Sequence, residues 1–149
     1  MSTESATELL LQDRTAIGAP SLEAAAPGPA VPDDLVDEAF REVVSMDPDG
    51  LERTLWRSTM TLGGAGFLSG VLGPLLVRIG EGWVAGEVTP GQEHLATGVV
   101  ERILARLTDA AGPSSGPGMV VATLPGERHG LGARLVAAAA VLEGWSVTY

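Results

Sequence analysis

Cysteine is absent from the chain, and so is lysine. The first absence excludes disulfides, thiolate metal sites, iron–sulfur clusters and a cysteine nucleophile, and it leaves the redox compartment open. The second means that all nine basic residues are arginine, against nineteen acidic ones, for a formal charge of −10. A chain this acidic lacks the basic face that a phosphate backbone requires and is poorly matched to an anionic membrane surface. Neither direct nucleic-acid contact nor a membrane partner is expected. Histidine is scarce: His94 and His129 are the only two, so any imidazole chemistry must use one of them. Aromatics make up 4 % of the residues and the apolar class 45 %, so a core has to be built from Ala, Leu and Val. No stretch reads as the roughly 20 uninterrupted apolar residues of a membrane span. The opening MSTESATELLLQDR lacks the basic start and long apolar run of a secretory leader, which makes the cytoplasm the expected location.

What is present divides by composition. Residues 1–32 read as a disordered Ala/Pro-rich tail, because APSLEAAAPGPAVP carries four prolines and no periodic apolar face; a short helix over Thr7–Arg14 is the one element it suggests. Order is expected from Asp33. Leu35, Ala39, Val43 and Met46 form one helical stripe. Asp47-Pro48-Asp49-Gly50 reads as a turn capping a second helix with apolar positions Leu51, Leu55 and Met60, broken by Gly63-Gly64-Ala65-Gly66. A third helix is expected over Phe67–Trp83, bent by Pro74 inside it. Thr89-Pro90-Gly91-Gln92 then spells an N-cap, a first-turn proline and a capping-box glutamine. The fourth helix should carry Leu95, Val99, Ile103 and Leu107 on one side and end near Thr108.

The segment after it changes period. Residues 113–117 read as a Pro/Gly/Ser linker. Met119–Thr123 is a β-prone run of the kind a buried parallel strand shows, Gly132–Gly144 an Ala-rich helix, and Trp145–Tyr149 a second strand. The expected fold is therefore α plus the start of α/β: a four-helix bundle over 33–112, then a β-α-β unit over 118–149 that opens a Rossmann-like (flavodoxin-type) domain without completing it. Two parallel strands and a helix bury too little to stand alone, so the chain is expected to be a fragment of a longer protein.

Two groups of residues could carry chemistry. Trp83, at the end of the third helix, is followed after nine residues by Glu93-His94, in the first turns of the fourth. The short turn between those helices can bring a flat apolar wall, an acceptor and an imidazole to one end of the bundle. The ordinary structural reading is a core tryptophan, a glutamate placed for the helix dipole and a surface histidine. The second group is the loop after the first strand, Pro125-Gly126-Glu127-Arg128-His129-Gly130-Leu131-Gly132, an E-x-H-x-x-G pattern. Loops at the carboxyl ends of parallel strands are where α/β folds bind ligands. A carboxylate two positions before a histidine can hold one ring nitrogen and leave the other for a metal. A phosphate loop, a zinc site, a plain surface loop and a Ser115–His129 hydrolase pair are the competing readings. The phosphate and hydrolase readings lack their motifs, and the zinc reading lacks a ligand set.

Taken together, RIGEGW, GEVTPGQEHLA and PGERHGLGA make roughly Asp33–Tyr149 resemble the adenosylcobalamin-binding part of the light-responsive MerR-type repressors of carotenoid synthesis. More distantly it is similar to the cap and corrinoid-binding domain of methionine synthase. The resemblance implies cobalamin as cofactor, adenosylcobalamin ahead of methylcobalamin, and a sensory or regulatory domain rather than an enzyme. It implies His129 as the lower axial cobalt ligand in a base-off complex, with Glu127 bonded to it. Arg128, Gly130 and Gly132 would belong to the same cofactor-binding loop. Trp83 would pack beside the upper ligand, with Glu93 and His94 near it, and His94 would take the upper position after photolysis. Homo-oligomerisation, or output through an adjoining domain, is implied as well. The DNA-reading element of those repressors has no counterpart in this sequence, and neither do the later strands of their cobalamin domain. A corrinoid carrier serving methyltransferases and a ligand-free interaction module are the alternatives; retention of Trp83, Glu93 and His94 favours the sensor.

Overall fold

The computed structural model describes residues 33–124, 126 and 130–149. The expected tail over 1–32, with its short helix, and the loop residues Glu127, Arg128 and His129 lie outside the described residues. Helix α1 spans Asp33–Val44. Its Ala39 and Val43 are fully buried, as the stripe predicts, but Met46 is half exposed. The chain turns there through a positive φ of 60°, which takes the last member of the stripe off the helix and out of the core. Helix α2, Pro48–Phe67, starts as expected: the Asp47 carboxylate accepts the Gly50 N–H at 2.9 Å, and Pro48 fills the first turn, where no N–H is needed. Leu51 and Leu55 are fully buried. Met60, expected beside them, is exposed, because the buried face of α2 shifts to Ser58 and Thr59, whose hydroxyls bond back to the Thr54 and Leu55 carbonyls.

The glycine cluster does not end α2. One residue leaves the helix, Gly63 at φ 69° and ψ 171°, a conformation open essentially only to glycine, and the helix resumes to Phe67. A π-helical segment over Leu68–Leu72 follows, and then α3, Gly73–Ala85. Pro74 therefore lies in the first turn of α3 and not inside a longer helix. Its missing N–H falls in a first turn, where it costs no intrahelical bond. Helix α4, Pro90–Ala111, carries the expected capping box: Thr89 N–H donates to Gln92 Oε1 at 2.8 Å, and Gln92 N–H donates to Thr89 Oγ1 at 3.4 Å. Val99 and Ile103 are buried on its inner side.

The four helices share one core, in which Leu51, Leu55, Phe67, Val71, Leu72, Leu75 and Ile103 are fully buried. Each such Leu or Phe contributes about 1.5–3 kcal/mol. Glu52 of α2 holds Arg102 and Arg106 of α4 at 3.3 and 2.7 Å. The run Pro48–Ala85 corrects one expectation. It contains a window of mean hydropathy 1.6 and is long and apolar enough to cross a membrane, since no charge falls between Arg57 and Arg78. Interleaved glycines, serines and threonines hide that run from a search for unbroken apolar sequence. It kinks at Gly63 and packs on α1, and 28 % of that window is buried; length and composition alone are shared by core helices and membrane-crossing ones.

Beyond the helical unit, strand β1 (Gly118–Val120), helix α5 (Leu131–Leu142) and strand β2 (Ser146–Thr148) form a parallel pair bridged by a helix. The register sets Met119 against Val147. Each strand is three residues long, shorter than expected, and neither is buried: Val120 is 80 % exposed. Among the described residues α5 covers one face of the pair and nothing covers the other. Ser114 Oγ donates to the Gly144 carbonyl, and Ser146 N–H to the Pro117 carbonyl at 2.9 Å, so the linker is bonded to the turn before β2. Helix α5 lies along α4, which joins the two units.

Candidate functional site

The end of α3 is made by Gly86 in the left-handed region, φ 77°, with the N–H groups of Gly86, Glu87 and Val88 closing onto the carbonyls of Trp83 and Gly82. Val88 then folds under the helix end and is buried. This requires glycine at 82, where an added Cβ would sit 2.8 Å from Val88 Cγ2. The capping box starts α4 at once, and Gln92 Nε2 donates to the Val44 carbonyl at 2.7 Å, tying that start to the end of α1. This tight corner sets Trp83 and Glu93 beside each other, as the short turn in the sequence leads one to expect.

Between α3, α4 and the start of α5 lies a cavity of about 300 Å³, at the low end of ligand-pocket volumes. Its α3 wall is Leu76, Ile79, Gly80 and Trp83, at the spacings of a single helix face. Its α4 wall carries Glu93, Thr97 and Glu101 beside Ala96. Gly130, Leu131, Gly132 and Leu135 close it from the β-α-β side. Four of the residues singled out from the sequence therefore meet at one cavity, two from each unit: Trp83 and Glu93, Gly130 and Gly132. Trp83 is a wall rather than a core anchor, with 51 % of its surface exposed.

Glu93 is the best-defined polar group there. Its Oε1 accepts the Thr97 hydroxyl at 3.0 Å, and its Oε2 lies 3.1 Å from His94 Nδ1. The Glu93 side chain is 28 % exposed and that of His94 86 %. His94 thus stands outside the cavity and not among its walls, contrary to the expected convergence of all three side chains. Position 94 follows 93 by a 100° turn of the helix, and its side chain points to solvent. A histidine whose Nδ1 is engaged by a carboxylate has its other ring nitrogen, Nε2, directed away from that contact, where a metal could be ligated. Glu127, Arg128 and His129 fall outside the described residues, between the end of β1 and the Gly130 that opens α5.

Thr97 and Glu101 were not singled out from the sequence. They follow Glu93 at four-residue steps on α4, and that spacing alone is enough to put them on the same wall. Among the described residues no group of three or more His, Asp or Glu side chains could hold a bare metal ion. A macrocycle that brings its own equatorial nitrogens asks the protein only for axial donors. The apolar wall, the acceptor pair and the glycine lip suit a partly apolar group of modest size that carries hydrogen-bond donors.

A search of curated proteins finds no match to the chain. The family model described as the B12 binding domain matches residues 33–108, which are α1 to α4 up to Thr108 and just over half of the sequence. The helices that set Trp83 and Glu93 at the cavity are the helices that this model describes, and the chain belongs to the B12 binding domain family.

Proposed function

We propose that this chain is the ligand-receiving part of an adenosylcobalamin sensor that responds to light, acting as a regulator and not as an enzyme. The cobalamin half of that reading rests on the family. The observation that carries the rest is the shared cavity, where Trp83 and Glu93 of the helical unit face Gly130 and Gly132, which flank the start of α5. A site for a methyl donor must stay open to its acceptor. Here a tryptophan and a carboxylate stand over the upper side, which suits a bulky upper group with hydroxyl or amino donors.

The residues fit these roles. Trp83, Leu76 and Ile79 shield the upper group from water; Glu93, held by Thr97, accepts its hydrogen bonds; Gly130 and Gly132 let the ligand approach the backbone. The β-α-β unit is read as the opening of a Rossmann-like domain that supports the lower side. By resemblance His129 would hold the cobalt of the cofactor, and Glu127 would bond to that histidine. When bound, the cofactor would supply a cobalt–carbon bond that visible light breaks. By resemblance His94, exposed in the free chain, would be the residue that holds the cofactor after illumination. Output would pass to a second copy or an adjoining regulatory domain of a MerR-type assembly in the cytoplasm, without direct nucleic-acid contact by these residues.

The test is a spectrum of the purified chain with adenosylcobalamin, taken in the dark and again after green light. A dark complex whose spectrum changes on illumination supports the sensor. Uptake of methylcobalamin with methyl transfer to a thiol, and no response to light, would replace it with a carrier. His129→Ala is expected to remove the imidazole-bound spectrum in the dark. His94→Ala is expected to leave the dark complex intact and alter only the photoproduct.

A further inference from the structure

Helix α5 is held against the helical unit unevenly. Near its far end, Leu142 sits on Gly64 of α2 so closely that an added Cβ at Gly64 would lie 2.6 Å from Leu142 Cδ1. A larger residue here, one position after the non-helical Gly63, would require the Leu142 side chain to shift. Near its start, beside the cavity, Leu131 and Leu135 pack against the helical core, and one polar pair is added to them. Arg134 Nε lies 3.3 Å from Glu101 Oε1 of α4, both side chains 43 % exposed. Among the described residues this is the one ion pair or side-chain hydrogen bond that joins α1–α4 to the β-α-β unit. The same guanidinium lies over the Tyr149 ring, 4.9 Å from its centre. The Tyr149 hydroxyl in turn donates to the Gly130 carbonyl at 3.4 Å, at the lip of the cavity.

Glu101 lines the 300 Å³ cavity. Arg134 lines a second void of about 190 Å³ on its other side, between the end of α4, α5 and β2. The pair is thus a bridge between two voids along one seam. Clefts on both sides interrupt the packing of α5 beside the pair, between the contacts of Leu131 and Leu135 and the buried Ala138, and a half-exposed ion pair is easily opened.

We infer that Arg134 is a positioning residue that latches the start of α5 to Glu101, and that the seat of Leu142 on Gly64 is the pivot about which α5 swings to open the cavity. Opening the latch moves Gly130, Leu131 and Gly132 away from Trp83 and Glu93, while the far end of α5 stays in place. Tyr149 couples the movement to the lip, because its ring rests on the guanidinium and its hydroxyl on Gly130. As an account of ligand entry and release, this rests on the cobalamin reading above; as an account of the free chain, it does not.

The test is amide hydrogen exchange on the whole chain without ligand. Glu101→Gln keeps the side-chain length and removes the charge. Exchange over Leu131–Ala137 is expected to rise about twofold to fivefold, the range a half-exposed pair supports, while α1, α2 and the Leu142 end stay as in the wild type. Arg134→Glu, which sets two carboxylates face to face, is expected to raise it further, and the swap Glu101→Arg with Arg134→Glu to restore it. Rescue by the swap separates a latch from a general loss of stability. Unchanged exchange in both single variants, or an equal rise in all helices, overturns the inference. With adenosylcobalamin, the Glu101→Gln chain is expected to release ligand faster by the same factor. A wild-type chain that takes up no cobalamin overturns the proposed function, and the exchange measurement on the free chain still decides the latch.

Discussion

The helical unit and the β-α-β unit are built from the same few apolar residue types, yet they bury them very differently. In α1–α4, Leu, Val and Phe side chains from every helix reach zero exposure. In β1–α5–β2 the fully or nearly buried positions are the alanines 137, 138 and 140, whereas Val120, Leu124 and Val136 lie open. The difference lies in layers rather than composition. Each helix of the first unit meets two or three others, but the strand pair meets one helix on one face. Apolar sequence is only a potential for burial, and the number of covering elements decides how much of it stabilises the chain. The ligand cavity lies on the boundary between the two regimes, with a rigid wall on one side and a weakly held one on the other.

The sharpest way to break this comparison is to remove one large side chain from each unit. Phe67→Ala, at full burial beside the π segment, is expected to cost about 3–5 kcal/mol in chemical denaturation. Val120→Ala, on the open face of β1, is expected to stay within about 0.5 kcal/mol. Similar losses at the two sites would mean that β1 is covered in the intact protein and that the contrast drawn here is false.

The next effect lies at the join. Gly64→Ala forces a methyl group into Leu142, and overpacking of this kind costs about 1–3 kcal/mol. Because Leu142 belongs to α5, the double variant Gly64→Ala with Leu142→Ala is expected to recover part of the loss, whereas Leu142→Ala alone loosens only the seam. A full loss that Leu142→Ala does not relieve would place the strain within α2 instead. Smaller again is the cap of α4. Thr89→Ala removes one side of the capping box and is expected to lower stability by about 1 kcal/mol. It should also loosen the corner that sets Glu93 beside Trp83, measurable as faster exchange at the Gln92 and Glu93 amides.

Much of the helical unit was legible in advance because its signals are local. The Asp47 and Thr89 caps, the stripes Ala39–Val43 and Val99–Ile103–Leu107, and the corner between Trp83 and Glu93 follow from neighbours in sequence. Failures came where long-range packing overrode the local pattern. Met46 leaves its stripe because the chain turns at a positive φ. Met60 faces out because Ser58 and Thr59 can satisfy their hydroxyls within the helix. Gly63–Gly66 resembles a helix end, yet only one residue breaks, since the chain can pass through a π segment and continue. The site was legible as two motifs and one corner, and four of its residues do line one cavity. The place of Thr97 and Glu101 on the wall of Glu93 was also available, from their four-residue spacing. The pairing of Glu101 with Arg134 was not, because it depends on which helix comes to lie across α4.

The smallest effect expected is electrostatic, and it belongs to the helical unit. Glu42 of α1 turns its carboxylate toward α2, where Oε1 accepts the Thr54 hydroxyl at 2.9 Å and Oε2 is buried with no partner. Burial raises its pKa above the ordinary 4.5; the Thr54 hydrogen bond pulls it down, and Glu38 and Asp47 nearby push it up further. For an acid whose pKa is higher folded than unfolded, the folded state binds more protons between the two values, so stability falls as pH rises through that interval. The charged form above it carries an unfavourable group that the protonated form lacks. Glu42→Gln removes the titration. Its stability is expected to match or exceed that of the wild type above the interval, and the fall with pH between about 4.5 and the raised value should flatten. Thermal melts of both proteins across that range provide the check. A wild-type stability that instead rises with pH while Glu42→Gln stays flat would mean that Oε2 is paired in solution and that the helical unit holds no strained charge.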